Sequence, residues 1–194
     1  GTANIHPAIL SGEFDMYPEY TGTGWLYVLK KTEIPDDLTL YQELSQQYMD
    51  DFELEWVGLY GFNNTYGLIV RNDIAEEYGL ETYSDLAAVS KDLVFGAEYD
   101  FFERDDGYNA LAEQYGLEFK KTVDLDIGLK YDAINKKQID AMNIFTTDGQ
   151  LSISDVKVLE DEMARMNYLV ESGESDEKTV AQEFLASKGL VSND

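Results

Sequence analysis

Between residues 66 and 159 the hydrophobic pattern switches repeatedly between a strand-like and a helix-like period, and this alternation restricts the fold more than any other property of the chain. Extended apolar runs over 66–70, 93–97, 120–125, 140–145 and 156–159 are separated by helical stretches. One of these ends at Tyr78-Gly79, one is capped near Tyr83-Ser84-Asp85-Leu86, and two span 108–115 and 129–137. Strands that alternate with helices pair in parallel or mixed fashion, because parallel neighbours need a crossover connection. The expected class is α/β.

The flanking parts are read by the same rules. Residues 5–10 read as the end of a helix closed by Ser11-Gly12, and 14–17 as a short strand. Pro35-Asp36-Asp37 starts a helix whose apolar face is read as Leu38, Tyr41, Leu44 and Tyr48, ending near Asp51. Residues 54–59 are extended and reach the strand over 66–70 through the polar turn Gly61-Phe62-Asn63-Asn64-Thr65. Two terminal helices are expected over 162–170 and 177–188.

The joint Asp15-Met16-Tyr17-Pro18-Glu19-Tyr20-Thr21-Gly22-Thr23-Gly24-Trp25 carries the clearest binding signal. Pro18 stops regular pairing, and the threonines open the apolar-periodic run Trp25, Leu26, Val28, Leu29. Free N–H groups at a helix start, together with the threonine hydroxyls beside them, suit a carboxylate, and Tyr20 offers a ring face at the edge. Arg104 is read as following a strand directly, just ahead of the helix start Asp105-Asp106-Gly107-Tyr108. On these residues alone it is equally a surface arginine paired with its acidic neighbours. Phe145 stands where a strand meets the polar turn Thr146-Thr147-Asp148-Gly149.

Composition narrows the chemistry. The chain has 39 acidic and 14 basic residues, a net charge of −25, so a phosphate backbone or an anionic membrane surface is repelled and nucleic acid is not an expected partner. There is no cysteine and one histidine, His6, read as lying on a surface helix start; thiol chemistry, zinc sites and Ser/His triads therefore have little to work with. No metal or cofactor is expected. No apolar run is long enough to span a bilayer, and Gly1-Thr2-Ala3 reads as a processed edge.

The ordered series YPEYTGT, GFNNTYG, an arginine before DDGY, NIFTTDG and VLED resembles the substrate-binding proteins of osmoprotectant ABC importers, which take glycine betaine, carnitine, choline and related trimethylammonium compounds. The NIFTTDG form is similar to members fused to their permease, including ergothioneine importers. The resemblance implies a type II periplasmic-binding-protein fold: two domains, a hinge, and ligand in the cleft. Domain I would be 1–57 plus 161–194, and domain II 58–160. It also implies a ligand-binding set of Tyr20, Thr23, Asn64, Tyr66, Arg104 and Phe145, in which rings enclose the ammonium while Arg104 and Thr23 hold the carboxylate. Phe145 stands where many relatives have tyrosine, which keeps the ring face and loses a hydroxyl. Relatives carry an additional first strand with a lysine loop, and a PPY-type loop after VLED. Their absence here implies either an incomplete first domain or segments deleted from, or lying outside, this sequence.

The expected protein is an extracytoplasmic binder, not an enzyme. It would deliver its ligand to an ABC permease subunit or fused permease domain, held at the membrane by an anchor or fusion outside this chain. Two alternatives stay open at this level: an acidic hydrolase using Asp105 and Asp106, and a ligand-free interaction module derived from a binding protein.

Overall fold

The computed structural model describes residues 1–148 and 155–165. These form two compact units. Unit 1 is Gly1–Asn63 with Glu98–Gln114, and unit 2 is Asn64–Ala97 with the described chain from Tyr115 onward. Residues 98–114, expected within 58–160, thus pack with unit 1, while Asp161 and Glu162 bond to Tyr115 and to the Tyr83-Ser84 backbone of unit 2.

Unit 2 is built on a five-stranded sheet ordered β3-β2-β4-β1-β5, with β1 Tyr66–Arg71, β2 Val94–Ala97, β3 Lys121–Asp124, β4 Ala141–Phe145 and β5 Val156–Val158. β2 runs parallel to β3 and β4, whereas β1 is antiparallel to both β4 and β5, so the sheet is mixed as the alternating pattern requires. Leu68, Ile69 and Val70 are buried in succession, the mark of a central strand covered on both faces. Helices α4 (Asn72–Tyr78), α5 (Tyr83–Val89) and α8 (Leu129–Asn135) supply the cover; Tyr131, Ala133 and Ile134 join Ile69, Met142, Ile144 and Val156 in one core. α4 ends at Gly79 with φ +68°, the left-handed conformation that favours glycine. α5 starts at a capping box between Thr82 and Asp85. The buried Glu162 carboxylate accepts from the next two backbone N–H groups, Tyr83 at 3.2 Å and Ser84 at 3.1 Å.

Asp140 joins three strand ends. Its carboxylate accepts from Arg71 Nη1 at 2.6 Å and from the Val94 N–H at 2.8 Å, at the end of β1 and the starts of β2 and β4.

Unit 1 has no strand among its described residues. Helix α1 is Thr2–Leu10; α2, the turn Thr21–Thr23, runs into a π-helical segment, Gly24–Val28; α3 is Asp37–Phe52. Asp36 caps α3, accepting from the Thr39 N–H and hydroxyl. Trp25, Leu40, Leu44 and Tyr48 are the core, with Phe52, Leu54 and Trp56 packed against it. A Cβ on Gly24 would stand 3.0 to 3.2 Å from Tyr48, Trp56 and Leu44, so this crossing of the π-helical segment and α3 is built around a glycine. The residues 98–114 add α6 (Tyr99–Glu103) and α7, Tyr108–Tyr115, whose last residue counts with unit 2.

Several expectations are corrected. The strands expected over 14–17 and 54–59 do not form, because among the described residues neither run has a ladder partner to satisfy its backbone. Residues 54–59 instead leave α3 through Glu53, at φ +57°, and fold Trp56 back onto Tyr48 with ring centroids 5.4 Å apart. The inner face of α3 is Leu40, Leu44 and Tyr48; Leu38 is exposed and Tyr41 only half-buried, one step out of the phase read from the sequence. Arg104 follows helix α6, not a strand. The expected helix over 177–188, and that over 162–170 beyond Arg165, lie outside the described residues.

His6 is buried, with 8% exposure, and is not on a surface helix start. Its ring meets Phe52 and Tyr48 edge-on, Nδ1 lies 3.1 Å from the Tyr17 hydroxyl, and Nε2 is buried with no hydrogen-bond partner among the described residues. Burial pushes the His6 pKa below 6.5 and raises that of Tyr17 to about 12, the Glu19 charge adding to the latter. The unfolded chain therefore takes up a proton at His6 more readily than unit 1 does. The stabilising contribution is present above pH ~6.5 and is lost as pH falls from there through the folded-state value. The two tryptophans, Trp25 and Trp56, both lie in unit 1, so urea melts followed by tryptophan fluorescence report on it. The expected result is a midpoint that drops between pH 7.5 and 5 in the parent and drops less in His6→Phe. Equal pH slopes would remove His6 from the account.

Candidate functional site

Three of the six expected site residues lie in unit 1, and two of them, Thr23 and Arg104, are in contact. Tyr20 sits at the N-cap of α2, half-exposed, with its ring edge-on to Phe62 at 6.3 Å. One turn on, the Thr23 hydroxyl accepts from Arg104 Nη1 at 3.3 Å. Arg104 comes from the loop after α6, where Nε and Nη2 grip both oxygens of Asp106 at 2.8 and 2.6 Å. This fork-to-fork pair is local in sequence, and it fixes the guanidinium plane so that Nη1 points at Thr23. Arg104 is also 5.4 Å from the Tyr27 ring centroid, and its side chain is only 14% exposed. Beside this cluster the carboxyl of Glu19 is pushed above the usual range by burial, an effect reduced by its bonds from the Tyr20 N–H and the Thr2 hydroxyl and by the Arg104 charge.

The other three meet in unit 2. Tyr66 and Phe145 are directly paired at the open end of the β1/β4 ladder, with ring centroids 5.2 Å apart and planes tilted by 36°. Both stand where the strands leave the core, and Tyr66 keeps 37% of its surface exposed. Asn64, just before β1, accepts from the hydroxyls of Thr147 at 3.0 Å and Thr146 at 3.4 Å. The NNTY and FTTDG turns are thereby bonded to each other.

Two supporting residues were not read from the sequence, and a third, Asp106, was read there only as one of the acidic neighbours of Arg104. Asp148 accepts from the Phe145 N–H at 2.9 Å and from the Tyr131 hydroxyl, closing the turn under the ring. Lys130 lies buried 4.8 Å from the Phe145 centroid. Asp106 orients Arg104. For Lys130 a signal existed: with Ala133 and Ile134 it falls on one face of α8, the face the core claims.

Residues 1–162 match the family described as the substrate binding domain of ABC-type glycine betaine transport systems. The chain belongs to that family. As a glycine betaine-type substrate-binding domain it is a binder and not an enzyme, which overturns the hydrolase alternative. The geometry agrees, since Asp105 is exposed and paired with Lys30 while Asp106 is spent on Arg104. The domain is 44% identical over 84% of its length to 29% of an ergothioneine transport permease/ergothioneine binding protein of Helicobacter pylori (strain G27). It is 35% identical over 81% of its length to 52% of a carnitine transport binding protein of Listeria monocytogenes serotype 1/2a (strain 10403S). It therefore spans about half of one of these relatives and under a third of the other. A crystal structure of a glycine betaine/carnitine/choline ABC transporter protein superposes with a TM-score of 0.57 at 28% identity, covering 98% of this chain and 85% of the other. The fold is thus of the type II periplasmic-binding class. Among the described residues no helix is long and apolar enough to cross a membrane.

Proposed function

We propose that this domain binds a small zwitterion with a quaternary ammonium and a carboxylate, of the kind represented by glycine betaine, carnitine and ergothioneine, and passes it to the permease of an ABC importer on the outer side of the cytoplasmic membrane. The observation that carries the reading is the Tyr66–Phe145 ring pair: two aromatic side chains in register at a strand end, held by the bonded NNTY and FTTDG turns and kept partly open to solvent. A trimethylammonium has charge but no N–H, so ring faces select it where hydrogen bonds do not. Tyr20 supplies a further ring.

The carboxylate is assigned to Arg104 and Thr23. Asp106 holds the guanidinium by Nε and Nη2, which sets Nη1 and the Thr23 hydroxyl side by side at 3.3 Å as a pair suited to one ligand carboxylate. Cation–π contacts at roughly 0.5 to 2 kcal/mol each fall short of the roughly 8 kcal/mol of micromolar binding, so both ends of the ligand are needed. The names of the relatives support the ligand class, and the family's description as part of a transport system supports the permease partner and the extracytoplasmic location.

Calorimetric titration with glycine betaine, carnitine, ergothioneine and choline tests the reading. At least one carboxylate-bearing ligand should bind more tightly than choline. A panel in which choline binds tightest counts against the carboxylate role of Arg104, and a panel without any heat of binding counts against the function.

A further inference from the structure

Among the described residues Lys130 is the only lysine or arginine in the buried class, with no exposed surface. It projects from α8 toward β4. Its ammonium donates to the Asn143 carbonyl at 3.0 Å, has the Asn143 side-chain oxygen at 3.4 Å, and stands over two rings, Phe145 at 4.8 Å and Tyr131 at 5.4 Å. A buried ammonium is costly beside a methionine of similar length. What it contributes here is a fixed positive charge behind the Phe145 ring.

We propose that Lys130 is a specificity residue that makes the Phe145 end of the site favour zwitterions over plain cations. The inference rests on the reading of Phe145 as a ligand-facing ring. Lys130 stands against the Phe145 ring and Tyr66 packs on it at 5.2 Å, so a ligand ammonium in contact with the solvent-open part of this ring pair comes within roughly 11 Å of the lysine charge. At the effective dielectric of a partly buried site, like charges at that separation weaken binding by roughly tenfold. A zwitterion recovers most of this, because its carboxylate lies only a few ångströms farther away and is attracted by the same lysine. The Asp148 carboxylate, bonded to the Phe145 N–H and the Tyr131 hydroxyl, reduces the field for both ligand types. The discrimination that survives is several-fold.

The test is calorimetry of choline and glycine betaine on the parent, Lys130→Gln and Lys130→Arg, with a melting curve for each. Glutamine keeps an N–H for the Asn143 carbonyl and removes the charge, whereas arginine keeps the charge. Expected is a gain of roughly fivefold for choline in Lys130→Gln, little change for glycine betaine, and a parent-like ratio in Lys130→Arg. An unchanged ratio in folded Lys130→Gln, or the same shift in both variants, overturns the proposal. Should Lys130→Gln fail to fold, the parent alone decides through choline and its uncharged isostere 3,3-dimethylbutan-1-ol. An advantage for choline below about tenfold supports an opposing charge, and a larger one overturns it. A parent that binds none of the betaines sinks the proposed function and this inference with it. A parent that binds them with a ratio indifferent to Lys130 sinks the inference alone.

Discussion

Arg104→Ala is expected to weaken glycine betaine binding by on the order of a hundredfold or more, and to leave choline binding nearly untouched. Truncating one partner of a desolvated, hydrogen-bonded charge pair costs about 2 to 5 kcal/mol. The Arg104 side chain meets that condition, being largely covered, clamped by Asp106 and aimed at Thr23. Choline has no carboxylate to lose. Arg104→Lys should fall between, since an ammonium keeps the charge but lacks the planar fork that Asp106 holds. Calorimetry with both ligands separates a carboxylate contact from a packing role: equal losses for choline and glycine betaine would assign Arg104 to the integrity of unit 1.

The largest effect on stability is expected from Asp140→Ala, about 3 to 5 kcal/mol against unfolding of unit 2. The Asp140 carboxylate is the shared acceptor of Arg71 Nη1 and the Val94 N–H, and Arg71 is itself only 12% exposed. Alanine would leave a covered guanidinium with Asp73 and the Ile139 carbonyl as its remaining bonds and a strand-start N–H without an acceptor. Asp140→Asn retains the neutral acceptor and should cost less. Urea melts followed by circular dichroism sum both units, and tryptophan fluorescence reports unit 1 alone because both tryptophans lie there, so the loss is expected in the dichroism transition and not in the fluorescence transition. A loss below about 1 kcal/mol would show that the three strand ends do not depend on this carboxylate.

Unit 2 was legible in the sequence because its signals are local and redundant. The buried run Leu68-Ile69-Val70 and the glycine after Tyr78 each state a boundary that packing then keeps, and the cap read at Tyr83-Ser84-Asp85-Leu86 is found just before it, at Thr82. Unit 1 was less so. The runs 14–17 and 54–59 have strand composition, but a strand is a pairing and not a property of one segment, and among the described residues neither run has a partner. His6 was misplaced for a related reason: an imidazole near a chain start reads as exposed until Tyr48, Phe52 and Tyr17 close around it. Among the candidate site residues, Tyr66 was named only through the family resemblance and Phe145 also from its place at a strand end, and register pairing joins them. Lys130 and Asp148 escaped notice because their roles depend on α8 crossing β4, a contact between residues far apart in the sequence that only the fold supplies.

The central claim is that Phe145 presents a ring face to a quaternary ammonium, and glycine betaine calorimetry on Phe145→Ala and Phe145→Tyr, with melting curves, tests it most directly. The account predicts saturable binding by the parent, near-parental binding by Phe145→Tyr, and a loss of roughly 3- to 30-fold in Phe145→Ala without a large fall in melting temperature. A core phenylalanine would behave otherwise, with alanine costing about 3 to 5 kcal/mol of stability. A Phe145→Ala protein that melts far below the parent yet, while folded, binds glycine betaine as the parent does would contradict the account.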